Sequence, residues 1–186
     1  MARLPYVTRE MIAPDLQDAF DKIIERRGGG PITGGPTSMM IYSPQMNTLG
    51  TALNDYLVTD SVLSKKIIEL GILLTARCWD NAQIWNSHAG AGRREGLSDA
   101  LVDALRDKKT LPALAPDEAA AVNYANEYFR TRRVGQDNFQ AAVDQFGPRG
   151  LVELTALIGY YGMLAFISNA FEVGVPANAT EPLLPV

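Results

Sequence analysis

The chain has 186 residues, 47% of them hydrophobic, with 17 Lys and Arg against 21 Asp and Glu. That length and apolar share suit a single domain over 1–186 with a real core, and they exclude bulk disorder. The net charge of −4 argues against a broad nucleic-acid footprint; a single cysteine excludes an internal disulfide, a multi-cysteine zinc site and a dithiol redox centre within one chain.

The first residues, MARLPYVTREMIAPDLQ, lack the apolar stretch of a signal peptide, so a cytoplasmic location is expected. Pro14 opens a helical pattern to about Arg27, with Leu16, Phe20, Ile23 and Ile24 on one face. The glycine-rich run Gly28 to Pro36 is a loop. It has no lysine to make it a phosphate cradle, and both a pocket wall and a plain connector remain open. Pro44 opens a second helix reaching Tyr56. Ser64 caps a third, Lys65 to about Cys78, which is apolar nearly all round.

Asp80, with Gln83 three residues on, reads as the capping box of a fourth helix ending near Gly96. Ser98 caps a fifth, and Pro116-Asp117-Glu118 starts a sixth. Two more are predicted, Gln136 to Phe146 and Arg149 to about Phe171, separated by Gly147-Pro148. The last is the most apolar segment, but Glu153, Ser168 and Asn169 interrupt it, which suits a buried helix better than a membrane span. The tail from Gly174 reads as irregular. No strand pattern and no internal repeat is visible, so the fold class is an all-α, single-domain helical bundle.

Few residues carry chemistry. Glu69 lies on a stripe with Lys65 and Lys66, so periodicity allows a surface ion pair or a partly buried acid–base carboxyl. His88, the only histidine, falls on the face of Ile84, Trp85 and Gly92 beside small residues. Those small residues permit either close helix packing or a ligand. Cys78 reads as a small buried hydrophobe. One histidine without a spaced carboxylate pair gives no metal site.

Leu63-Ser64-Lys65-Lys66-Ile67-Ile68-Glu69-Leu70, then Trp85-Asn86-Ser87-His88, then Arg94-Glu95-Gly96-Leu97-Ser98, resemble the carboxymuconolactone decarboxylase family, which includes the alkylhydroperoxidase D-like proteins. The resemblance spans about residues 14–185, with a domain core of about 40–171, and is strongest over 63–98. It implies an all-α bundle that assembles as a trimer or hexamer, with Glu69 and His88 meeting in one pocket. The peroxidase branch has a Cys-x-x-Cys motif where this chain has Asn81 and Ile84, so a dithiol peroxidase is excluded. The decarboxylase branch often has an acid where this chain has Ile84.

The expected activity is therefore cofactor-free proton transfer and decarboxylation on a small carboxylated lactone or oxo-acid, of a kind used in aromatic compound catabolism. Catalysis falls to His88 and Glu69 and substrate binding to Trp85, Asn81 and Arg77. Gln83 and Asn86 are further donors for an enolate-like charge, and Arg93 is a second candidate for a substrate carboxylate. Alternatives on the same scaffold are an isomerase, a lactone hydrolase or a non-catalytic oligomeric binding protein. No metal, nucleic-acid or membrane partner is expected.

Overall fold

Three side chains set the frame of the central helices. Ser64, Asn81 and Ser98 each accept the backbone N–H three residues ahead, at 3.3, 2.8 and 3.2 Å, satisfying one of the four N–H groups left open at a helix start. The helices they begin are α4 to α6 of eight in a computed structural model that describes residues 2–176 and 179–186. In chain order these are α1 (Gln17–Arg26), α2 (Thr37–Met40), α3 (Pro44–Asp55), α4 (Lys65–Cys78), α5 (Ala82–Arg94), α6 (Asp99–Arg106), α7 (Pro116–Thr131) and α8 (Gln136–Ala170). A π-helical turn, Tyr56–Asp60, extends α3. Among the described residues there is no strand, and the fold class is the expected all-α bundle.

The α4–α5 connection differs from the expected capping box. Asp80 takes φ +48°, a left-handed conformation, and Asn81 N–H bonds back to Ala76 O at 2.8 Å. That is the 6→1 bond of a Schellman turn, so Asp80 ends α4 while Asn81 begins α5. Asp80 spends its carboxylate on Arg77 and Lys108 instead.

Helix α4 lies at the centre, with α5, α7 and α8 packed around it. Ile67, Ile68, Leu70, Ile72, Leu73 and Ala76 are all buried. Close approach of α5 depends on Gly92, where an added Cβ would stand 2.9 Å from Leu97 Cδ1 and 3.2 Å from Leu73 Cδ1. The small residues around His88 on this side therefore serve packing, and Ala89 is fully buried with them. Helix α8 is broken at Gly147, with φ +67° and ψ 168°, so its two arms match the two helices predicted. Its length and apolarity would suffice for a membrane span, yet 56% of the apolar window is buried in the fold, as in a core helix.

A second, smaller apolar cluster joins Val7, Ile12, Phe20, Ile23, Ile32 and Ile41 at the N-terminal end. The tail lacks helix or strand over its described residues, while 177–178 lie outside them. It is tied down even so: Asn86 donates to Glu181 O at 2.9 Å, and Arg77 to Pro185 O at 2.9 Å.

Candidate active site

Glu69 sits one turn into α4, on the side that α5 covers. It takes neither lysine of its own stripe. Lys66 pairs with Asp117 at 2.9 Å and with Glu118 at 3.5 Å, and Lys65 bonds Val58 O. The Glu69 carboxylate instead meets His88 on α5, with Oε2 2.9 Å from Nδ1. A carboxylate only accepts, so Nδ1–H donates and the ring is fixed with Nε2 as its remaining nitrogen. Both side chains are largely covered, at 16% and 23% exposed. Low exposure strengthens the contact and restrains the ring.

His88 reaches a cleft of about 200 Å³. Its walls come from distant parts of the chain: Gln83, Ile84 and Ser87 on α5, Tyr160 and Tyr161 on α8, Thr51 and Asn54 on α3, and Arg27, Pro36 and Thr37 at the two ends of the glycine-rich loop. That loop is thus partly a pocket wall. Gly35 holds φ +67° against Gln83, where a Cβ would lie 3.4 Å from the amide nitrogen. Gln83 is 8% exposed; its Nε2 donates to Ser87 Oγ at 3.3 Å, and its Oε1 is buried without a partner.

Tyr161 stands edge-on to the His88 ring, centroids 5.3 Å apart, and its hydroxyl donates to Asn54 Oδ1 at 3.2 Å. Burial raises the Tyr161 pKa, and the nearby Glu69 charge raises it further, so this phenol stays a proton-bearing donor. Tyr160 is raised too, by burial and Asp55, with Arg27 opposing.

The three expected substrate-binding residues do not line this cleft. Trp85 is 1% exposed and belongs to the main core, a third of a turn around α5 from Ile84. Asn81 is 2% exposed and committed as a cap: its Oδ1 holds Ile84 N–H and its Nδ2 donates to Asn169 Oδ1 at 2.7 Å. Arg77 is buried among Asp80, Arg106 O and Pro185 O, where it ties α4 to the tail. Arg93 is held by Asp99, Asp103 and Glu181, and Asn86 by Glu181 O, so neither is offered to the cleft. Of the further donors considered, only Gln83 lies in it. Asn54, Tyr160 and Tyr161 were not singled out by sequence, where Arg27 reads only as half of a basic pair, Arg26-Arg27, at a solvated helix end. Their one sequence signal is indirect, polar groups flanking the loop or interrupting apolar helices.

Cys78 is exposed rather than buried. It lies at a separate apolar groove of about 720 Å³, with Trp79, Tyr128, Phe129, Met163 and Phe166, whose walls partly desolvate the thiol and push its pKa up. Among the described residues no group of three His, Cys, Asp or Glu side chains is placed to hold a metal ion.

Three solved structures share this architecture. An uncharacterized peroxidase-related protein from Silicibacter sp. TM1040 aligns with TM-score 0.72 at 16% identity, over 96% of this chain and 93% of that one. The alkylhydroperoxidase AhpD core protein of Ralstonia eutropha JMP134, also peroxidase-related and uncharacterized, gives 0.70 at 16% over 95% and 93%. The debrominase Bmp8, in complex with 2,3,4-tribromopyrrole, gives 0.69 at 14% over 95% of each chain. The chain has the alkylhydroperoxidase D-like fold. No protein-family model and no curated protein matches the sequence. Identity this low establishes the fold and leaves the chemistry to the site.

Proposed function

We propose that this protein is a cofactor-free acid–base enzyme of the decarboxylase-like kind, acting on a small carboxylated lactone or oxo-acid. The observation that carries the reading is the Glu69–His88 pair, a ring held by a carboxylate on Nδ1 and reaching a polar cleft. The cleft is below the ~300–1,000 Å³ range of drug-sized sites, which supports a small substrate.

Loss of carbon dioxide from a carboxylate β to a carbonyl breaks the C–C bond and leaves the electron pair on the substrate as an enolate. Gln83 Nε2, which gives one N–H to Ser87 Oγ, has a second available to the developing oxyanion. The imidazolium Nε2–H of His88 then returns a proton to carbon. Glu69 holds the ring and stabilises its charged form, a positioning role. A dithiol peroxidase cycle needs two thiols; the one thiol here, Cys78, faces the other groove.

An isomerase or lactone hydrolase would use the same pair. A product assay separates them, carbon dioxide release against an isomerised or opened product. Full turnover by His88→Gln would refute the acid–base reading altogether. Exposed apolar residues along α8, Val152, Met163 and Phe166, support homo-oligomeric assembly.

A further inference from the structure

Among the described residues, Arg27 is the one Lys or Arg that lines the His88 cleft. Its neighbour Arg26 pairs with Asp55, Arg9 with Asp21 and Arg149 with Glu153. Among the described residues, Arg27 has no carboxylate within 4.0 Å, and its guanidinium makes one side-chain hydrogen bond, Nη2 to Thr37 Oγ1 at 3.1 Å. It nonetheless lines the His88 cleft, and no Asp or Glu lines that cleft with it. Glu69 stands behind the imidazole rather than in the cavity.

Its position is built in. Gly28 N–H bonds Glu25 O at 3.0 Å and Gly29 N–H bonds Ile24 O at 2.9 Å, the paired bonds of a Schellman turn, with Gly28 at φ +89°. This leaves Arg27 at the C-cap of α1, where the helix dipole favours a cation. Thr37, across the loop, holds one guanidinium nitrogen and leaves the rest of the fork for an incoming group.

We propose that Arg27 is the anion receptor of the cleft, binding a substrate carboxylate through its guanidinium fork while His88 faces the reacting carbon. The assignment rests on the acid–base reading for the identity of the site, but it concerns affinity and can fail alone. It makes the glycine-rich loop the specificity element of the enzyme. The substrate class narrows to small molecules with two carboxylates, one that stays bound to Arg27 as an anchor and one, β to the carbonyl, that leaves as carbon dioxide. A neutral analogue of the same shape loses the charge-assisted bonds and is discriminated against.

The test uses 5-oxotetrahydrofuran-2-carboxylate and its neutral carboxamide as probes. Binding is followed by calorimetry and by the imidazole proton signals of His88, which is the chain's only histidine. The carboxylate is expected to bind more tightly than the carboxamide and to shift the His88 signals, with affinity that falls as salt rises. Arg27→Gln should weaken the carboxylate about 10- to 100-fold, leave the carboxamide unchanged and abolish the salt dependence. Arg27→Lys should recover part of the loss, because charge returns without the fork. His88→Gln should keep the carboxylate affinity, so failure of the proton-transfer reading shows in turnover and failure of this one in affinity. Equal carboxylate affinity in wild type and Arg27→Gln, equal affinity of wild type for both probes, or no carboxylate binding at all, would overturn the proposal.

Discussion

Two largely buried carboxylates, Glu69 and Glu153, both interrupt apolar helices, and only one faces a site. Glu153, on α8, is 5% exposed and saturated by its own chain. It accepts from Tyr56 Oη and Ser61 Oγ at 2.7 Å, and from Val62 N and Arg149 Nε at 2.8 Å. Burial pushes its pKa up, but these donors outweigh that and hold it at about 2. Among the described residues, Glu69 makes a single hydrogen bond, to a ring that opens on a cleft. A carboxylate buried in an apolar helix is therefore not by itself a sign of chemistry. What separates the two is how many donors the fold supplies, and whether the partner has a second reactive atom.

The contrast is sharpest at His88. Replacing it with Gln should lower kcat about 10²- to 10⁴-fold while the melting temperature hardly moves, and a retained kcat would break the functional half of the comparison. Glu153→Gln should do the reverse. It removes the charged acceptor of four part-buried hydrogen bonds whose donors are themselves half-buried or exposed, so a loss of about 2 kcal/mol in denaturant unfolding is expected, with activity per folded molecule unchanged. Its pH signature follows from the lowered pKa. The stabilisation is complete above the unfolded value of about 4.3 and disappears as pH falls from there towards about 2. Acid titration of Glu153→Gln should lack that component.

Glu69→Gln should be milder, about 10- to 100-fold in kcat, because an amide can still accept the Nδ1–H but no longer stabilises the imidazolium. If it destabilises the fold as much as Glu153→Gln, the distinction between the two carboxylates collapses. Cys78→Ser should be the smallest change, within about 0.5 kcal/mol and without effect on turnover, since the thiol is exposed and faces another groove.

Much of the fold was legible because caps and breaks are local. Ser64, Ser98, Pro116 and Gly147 act within four residues of themselves. The same logic misplaced the start of α5, because the left-handed turn at Asp80 is a property of the backbone between two helices and leaves no period in the sequence. The pair Glu69 and His88 came from motif resemblance, since the stripe shared with Lys65 and Lys66 pointed equally to solvent. Trp85, Asn81 and Arg77 were candidates by side-chain type: a ring to line a pocket, an amide donor for an enolate-like charge and a cation for a carboxylate. Packing sends the first into the core and hydrogen bonding ties the other two to the tail and α8. Arg27, Thr37, Asn54 and Tyr161 reach the cleft only through tertiary contacts between segments far apart, which periodicity does not report.

The cleft also straddles two unequal supports. His88, Gln83 and Ser87 ride on α5, rooted in the main core, while Arg27 and Thr37 border the small cluster of Val7, Ile12, Phe20, Ile23, Ile32 and Ile41. Less buried apolar surface means a lower cost of local opening. On warming, the N-terminal wall should loosen first, so the protein would stop recognising its substrate while its proton-transfer pair remained assembled. Thermal tolerance of the activity is then set by six side chains around α1, far from the reacting atoms.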